Sequence, residues 1–232
     1  HLLFLMKNIT LIIPAKQESG SLPIVLEELK KFNFTIKVIL KEDDTQTIDS
    51  IKKFDCEIIF QNGIGYGNAL INGINKTDTE YVCIFNADGS FNPIELPKMF
   101  ELMTNTKSDF VFASRYQKNG GSDDDSLLTL IGNKIFSLMC KILLSINLSD
   151  ILYTFVLSKT KSIKRLHLQQ NDFTICIELP YKATINKFMI SSIFSFERKR
   201  LLGKKKVNEF KDGFKILVYI LKIFLYGGRD KN

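Results

Sequence analysis

The sequence predicts an α/β fold, a mainly parallel sheet with helices on both faces. Three observations carry this. Short apolar runs recur along the chain, and each is followed by a stretch of helical spacing. One of them, residues 81–85, is β-branched and aromatic and is cut off abruptly by the polar turn Asn86-Ala87-Asp88-Gly89-Ser90. Another is separated from its helix by the glycine-rich turn Gly63-Ile64-Gly65-Tyr66-Gly67. Strand–helix units of this length need crossover connections, and crossovers impose parallel pairing with helices above and below.

Taken in order, residues 9–14 read as a first buried strand, and Ser21 and Pro23 open a helix carrying Leu26 and Leu29. Residues 36–40 form a second strand and 48–54 a second helix. A third strand covers 57–60 and a third helix 65–75. The run at 81–85 follows, and Asn92-Pro93 starts its helix, with Asn as cap and Pro at the first helical position. Residues 109–113 give a fifth strand. The second half is less regular. Gly120-Gly121-Ser122-Asp123-Asp124-Asp125 reads as a flexible acidic loop, either solubilising or facing a ligand. Helical stretches follow around Gly132, Asn133, Phe136 and Leu143, then at 173–181, and finally at 207–226.

At 232 residues the chain fits one large domain or two merged halves. Its hydrophobic fraction of 45% and charged fraction of 25% are those of an ordinary globular protein. Cys56, Cys83, Cys140 and Cys176 are widely spaced without a C-x-x-C pair, which argues against disulfides and zinc and suits a reducing cytosol. With only His1 and His167, a histidine metal cluster is excluded. The net charge of +7 lies entirely in the tail: residues 197–232 hold 11 of the 32 Lys+Arg but only 4 of the 25 Asp+Glu. No nucleic-acid motif accompanies it, so nucleic acid is not an expected partner. His1-Leu2-Leu3-Phe4-Leu5 lack a basic region or cleavage site. Met6 is read as the natural start, or the preceding residues as an extension of the first strand.

The chemistry centres on Asp88, a carboxylate at the carboxyl end of a core strand, where open α/β sheets place ligands. On this pattern alone Asp88 serves equally well as a turn cap. The segment Asn86-Ala87-Asp88 resembles the D-x-D of family-2 glycosyltransferases, in particular the dolichyl- or polyprenyl-phosphate sugar synthases and their bacterial relatives. Further matches follow in the family's order. Pro14-Ala15-Lys16-Gln17-Glu18 resembles the P-x-x-N-E opening that covers the nucleotide. Glu42 and Asp43 compete for the acidic position of base and ribose, or belong to a solvated turn. Gly65, Gly67, Ala69 and Gly73 fit G-x-G-x-A-x-x-x-G, with the glycines admitting a nucleotide and the helix N-terminus favouring an anion. A dinucleotide fingerprint would instead follow the first strand. Ser114-Arg115-Tyr116 fits S-R-Y. Asp150 and Phe155 fit D-x-x-S-G-F, and Glu178 weakly matches a family glutamate. Arg200, Gly203 and Lys206 fit R-x-x-G-x-S-K, with Lys204 alongside and Lys205 in place of Ser.

The resemblance implies an A-type glycosyltransferase fold, Rossmann-like, and a metal-dependent inverting hexosyltransferase. Nucleotide-sugar binding then falls to Pro14, Ala15, Glu18, Glu42, Asp43, Gly65, Gly67, Asn86, Ala87 and Asp88. Asp88 and Asn86 hold Mg²⁺ or Mn²⁺; Asn86 supplies a carbonyl where the family has a carboxylate, which weakens the site. Arg115, Arg200, Lys204 and Lys206 bind diphosphate or acceptor, and Asp150, Asp88 and Arg115 are the catalytic set. The implied partners are a nucleoside-diphosphate sugar and a lipid-phosphate or glycan acceptor. The domains divide as an extension at 1–7, a transferase domain at 8–206 with donor half 8–116 and acceptor half 117–206, and a basic amphipathic helix at 207–232. That helix has too short an apolar run to span a bilayer, which needs ~20 residues. It lies on the membrane surface or docks as core, and the expected location is the cytoplasm, peripheral on the inner face of the cell membrane. Two rivals stand: a sugar-nucleotide-binding protein that lost catalysis through Asn86, and a nucleotidyltransferase, for which Pro14-to-Gly20 is a weak phosphate loop.

Overall fold

A computed structural model describes residues 6–203 and 206–227; Lys204, Lys205 and the first five residues of the expected extension at 1–7 lie outside the described residues, as do 228–232. In chain order the main elements are β1 (Ile9–Pro14), α1 (Leu22–Leu29), β2 (Thr35–Leu40), α2 (Thr45–Ile51), β3 (Glu57–Phe60), α3 (Tyr66–Asn75), β4 (Tyr81–Ile84), α4 (Glu95–Thr106) and β5 (Phe110–Ser114). Then come β6 (Gly121–Ser122), α5 (Leu127–Leu144), β7 (Val156–Lys159), α6 (Thr160–Lys164), α7 (Ile175–Ile185), β8 (Ile190–Phe194), β9 (Phe196–Glu197) and α8 (Glu209–Tyr226).

Seven strands form one sheet in the order β3-β2-β1-β4-β7-β5-β8, and β6 pairs β9 beside it. Pairing is parallel except at β7, which runs antiparallel between β4 and β5. The expected mainly parallel sheet is therefore present. The strands at β7 and β8 are additions to the sequence reading. VLSK is four residues with two polar ones, and ISSIF sits on an edge, so neither shows a buried-strand run.

Alternation along the strands sorts the core into two layers. Leu11 and Ile13 of β1 point with Cys83 and Phe85 toward α1 and α4. Ile12, Val82 and Ile84 point the other way, toward α3, α5, α7 and α8. Helix α1 buries Leu22, Val25, Leu26 and Leu29 on one stripe, an upper estimate of ~1.5–3 kcal/mol per side chain. Gly73 lets α3 approach the sheet: a Cβ there would meet Ile39 Cδ1 at 2.9 Å and Ile12 Cγ2 at 3.0 Å.

Two helix starts differ from expectation. Helix α2 begins at Thr45 because the Asp44 side chain accepts from Thr47 N at 3.4 Å and caps it. Helix α4 begins at Glu95, since Asn92 spends its side chain on a local turn, accepting from Ile94 N at 3.2 Å.

Candidate active site

The order β2-β1-β4 makes the junction of β1 and β4 the point where the chain's connections diverge to opposite sides, and at the strands' carboxyl ends such a point is where open α/β sheets place ligands. Asp88 and Asn86 lie on its β4 side. Asp88 Oδ1 accepts from Ser90 N at 3.0 Å, and Asn86 Nδ2 donates to Ser90 Oγ at 3.3 Å, so one serine braces both side chains. That leaves Asp88 Oδ2 and the Asn86 carbonyl as hard oxygen donors. Among the described residues, no three His, Cys, Asp or Glu side chains gather as a metal nest. Two oxygens nonetheless suit Mg²⁺ or Mn²⁺, because such ions complete their shell with phosphate oxygens and water.

A basic strap lies over this turn. Arg198 N donates to Ser90 O at 2.8 Å and Leu201 N to Asp88 O at 2.8 Å, which lays the strap along the Asp88 turn. Arg198 forks onto Glu28 at 2.8 and 3.0 Å and also donates to the carbonyls of Gly89 and Phe91. Arg200 forks onto Asp124 at 3.2 and 2.7 Å, with its NH1 3.6 Å from Asp88 Oδ2. Burial pulls the Arg200 pKa down, but the Asp124 hydrogen bond and the charges of Asp88 and Asp124 outweigh it, and the net direction is up. Lys206 Nζ lies 3.5 Å from Glu18 Oε1. Asp124 thus faces the site and is no part of a flexible loop.

On the β1 side, Pro14 ends the strand and Ala15 N continues the ladder to Ile39 O at 2.8 Å. The turn after it is closed by acids and hydroxyls: Gln17, in the left-handed region at φ 55°, donates its N–H to Asp44 at 2.7 Å, and Glu18 N donates to Thr47 Oγ1 at 3.0 Å. Glu18 also accepts from Ser21 Oγ at 2.6 Å. Asp44 is therefore structural, whereas Glu42 and Asp43 stand exposed at the rim. Ala87 is buried under the β4 turn.

Arg115 and Asp150 meet, but on each other. The guanidinium forks onto Asp150 at 2.8 and 2.9 Å, and its NH1 also donates to Asp125 at 3.0 Å and Glu197 at 2.9 Å. It is stacked by Tyr153 at 4.5 Å, and the Asp150 carboxylate further accepts from Arg115 N and from Asn133. Burial disfavours the charged arginine, yet three carboxylates overcome it and hold its pKa above the usual arginine range. Asp150 is 2% exposed and Arg115 7%, so neither offers a free atom to an acceptor or a phosphate. Every strong bond they make is internal, an arrangement that braces Asp125 and Glu197 around them.

The glycine turn packs against the chain itself. A Cβ at Gly65 would lie 2.2 Å from Asn171 O, and one at Gly67 2.1 Å from Gln170 O. Asn68 N, at the start of α3, donates to Asn171 O at 3.0 Å. The backbone admitted so closely is the chain's own 170–172 segment. Glu178 holds that segment, accepting from Gln169 N and Gln170 N, which explains its match as a fold anchor. Gly67→Ala is therefore expected to cost about 1–3 kcal/mol in urea unfolding, with no separate loss of nucleotide affinity in the folded fraction. Lost affinity at unchanged stability would return the glycine to the ligand.

Reading Arg198, Asp125, Asn133 and Glu197 from sequence needed one signal. Only five of the 32 basic residues are arginine, and Arg115, Arg198 and Arg200 are the three that fork onto carboxylates here.

A family model described as glycosyl transferase family 2 matches residues 10–167. Over 92 residues the chain is 28% identical to an uncharacterised glycosyltransferase of Mycobacterium bovis and equally to one of Mycobacterium tuberculosis H37Rv. The aligned part is 39% of this chain and 41% of the length of those relatives. Among solved structures, glucosyl-3-phosphoglycerate synthase from Mycobacterium tuberculosis, with Mn²⁺, UDP and glucosyl-3-phosphoglycerate, superposes with TM-score 0.73 at 12% identity. That likeness covers 96% of this chain and 81% of the other. Mannosyl-3-phosphoglycerate synthase from Rubrobacter xylanophilus gives 0.69 at 13%, covering 95% and 75%. At such identities the likeness is one of fold, and the fold is the expected A-type.

Proposed function

Because the chain belongs to glycosyl transferase family 2, we propose that it moves a sugar from a nucleoside-diphosphate sugar to an acceptor oxygen with inversion. The observation that carries this is the junction of β1 and β4 at their carboxyl ends, where Asp88 and Glu18 meet a strap of arginine and lysine. Asp88 Oδ2 and the Asn86 carbonyl would hold Mg²⁺ or Mn²⁺, which neutralises charge developing on the departing diphosphate. Arg200 and Lys206 turn from Asp88 and Glu18 to the diphosphate oxygens, exchanging one set of anions for another. Pro14 and Ala15 bound the donor site on the β1 side, Ala87 supports the β4 turn from beneath, and Glu42 and Asp43 at the rim accept from base or ribose hydroxyls. Arg115 and Asp150 fix the acceptor wall through Asp125 and Glu197. The acceptor oxygen attacks the anomeric carbon as the diphosphate oxygen leaves with its electron pair. A phosphate acceptor is already ionised and needs no base.

The acceptor class we favour is a lipid phosphate or envelope-glycan precursor at the inner membrane face. The support is the basic tail and the exposed apolar side chains of α8, Phe210 and Phe214 among them. The solved relatives are named for phosphoglycerate products, so that acceptor forms the second arm of the test. The protein is incubated with Mn²⁺, a panel of nucleoside-diphosphate sugars, and either membrane lipid extract or 3-phosphoglycerate, with mass spectrometry of both phases. A glycosylated lipid is expected. A glycosylated phosphoglycerate alone overturns the lipid acceptor, and no consumption of any donor overturns the transferase reading.

A further inference from the structure

Helix α5 is amphipathic the wrong way round for a soluble domain. Its inward stripe is Asn133, Ser137, Cys140 and Leu144, three of them polar or small. Its outward stripe is Leu128, Ile131, Ile135, Leu138 and Ile142, between 47% and 69% exposed. Spacings of three and four residues place these on one face, opposite the buried one. The 18-residue helix has a mean hydropathy of 1.7, enough by composition to cross a membrane. It cannot leave the domain, however, because Asn133 is bonded to buried Asp150 and the Asn133 carbonyl accepts from Leu152 N.

Helix α8 repeats the pattern next to it. Ile216, Ile220 and Ile223 enter the same core layer as Cys140 and Leu144. Phe210, Phe214, Val218, Leu221 and Leu225 stand exposed on its outer side. The helices are tied where both begin, Glu209 accepting from Ser126 and Thr129 hydroxyls at 3.2 and 2.7 Å. Both bury residues on one side of the sheet, so their outer faces look the same way.

We propose that α5 and α8 together form a two-helix face that lies in the surface of an anionic bilayer, with α5 supplying most of the apolar insertion. This rests on the membrane-acceptor reading above and names the surface that performs it. Charge selects the occupant. Helix α5 has no Asp or Glu, Lys134 and Lys141 are exposed along it, and Lys211 and Lys222 are exposed along α8. A second copy on the same face would set lysine against lysine, whereas anionic headgroups complement them and let the aliphatic stems stay among lipid. The acceptor-side acids Asp124 and Asp125 directly precede α5, so a lipid headgroup rising from that surface is delivered beside Arg200.

The chain has no tryptophan, which permits single reporters. Ile135→Trp on α5 is compared with Ile24→Trp, exposed on α1 across the sheet. With phosphatidylglycerol vesicles at low salt, only the Ile135→Trp emission is expected to shift to the blue and be quenched by brominated acyl chains. Ile131→Ser/Ile135→Ser/Leu138→Ser is expected to lower vesicle sedimentation at least about tenfold, with Mn²⁺-dependent nucleoside-diphosphate affinity by calorimetry unchanged. An Ile135→Trp signal that ignores vesicles overturns the proposal, as does a blue shift without lipid that follows protein concentration, which marks a dimer. Intact Mn²⁺-dependent binding of a nucleoside diphosphate in either case leaves the transferase reading standing, while a wild type that binds none of a panel of them strikes that reading instead.

Discussion

Asp88→Asn is expected to remove donor turnover, by at least about a thousandfold, with the fold intact. The magnitude follows from what the side chain supplies in the proposed reaction: a negative oxygen where the diphosphate would gather charge in the transition state, a kind of stabilisation worth roughly 10²–10³ for one preorganised donor and more when a cation depends on it. The amide retains the Oδ1 hydrogen bond from Ser90 N, made at 3.0 Å, so the turn should keep its shape. What it loses is the anion facing Arg200 and the cation. Asn86→Asp is the converse, adding a carboxylate beside the first and tightening Mn²⁺ binding. Calorimetry of Mn²⁺ with each of a panel of nucleoside diphosphates, beside single-turnover rates, separates metal affinity from chemistry. Full turnover of Asp88→Asn in the presence of chelator would remove Asp88 from the mechanism.

How far the site was legible in sequence depends on whether a residue's partner lies nearby along the chain. The place of Asp88 at a strand end was legible because a strand and a polar turn are consecutive in sequence. The same holds for the place of Pro14 at the end of β1. Gly65 and Gly67 were read correctly as demanding close backbone approach, but glycine says only that something comes near. The approaching segment is about a hundred residues further on, at Asn171. Arg115 and Asp150 likewise matched motifs without revealing that each is the other's partner across 35 positions. Strand β7 was missed for a related reason: between two strands already paired, four residues need little hydrophobic pattern of their own. Composition held one unused clue, since arginines in a lysine-rich chain mark places where a planar fork is required.

The largest expected effect on stability belongs to Arg115→Met. The arginine pairs directly with Asp125, Asp150 and Glu197, whose side chains are 7%, 0% and 10% exposed. Removing it strands three carboxylates away from water, and breaking one buried pair already costs about 3–5 kcal/mol. Against a total stability of roughly 5–15 kcal/mol, the variant should be near its unfolding midpoint without denaturant. Asp150→Asn should cost less, because Arg115 keeps two carboxylate partners. In the double variant the two costs should fall short of their sum, the sign of a shared interaction. The pH dependence has a definite direction. Burial already holds the Glu197 carboxyl above its usual 4.5, with Arg115 pulling it back down. Without the arginine that pull is gone and the folded-state pKa rises further. A group raised in this way favours the folded state below its unfolded pKa and loses that contribution as pH rises through the folded value. The Arg115→Met deficit should therefore be greatest at neutral pH and shrink as the solution is acidified toward the carboxylate range. Urea midpoints across pH measure this directly. A variant with unchanged midpoint at neutral pH and collapsed turnover would show that Arg115 is a catalytic group after all, released from its carboxylates when substrate binds.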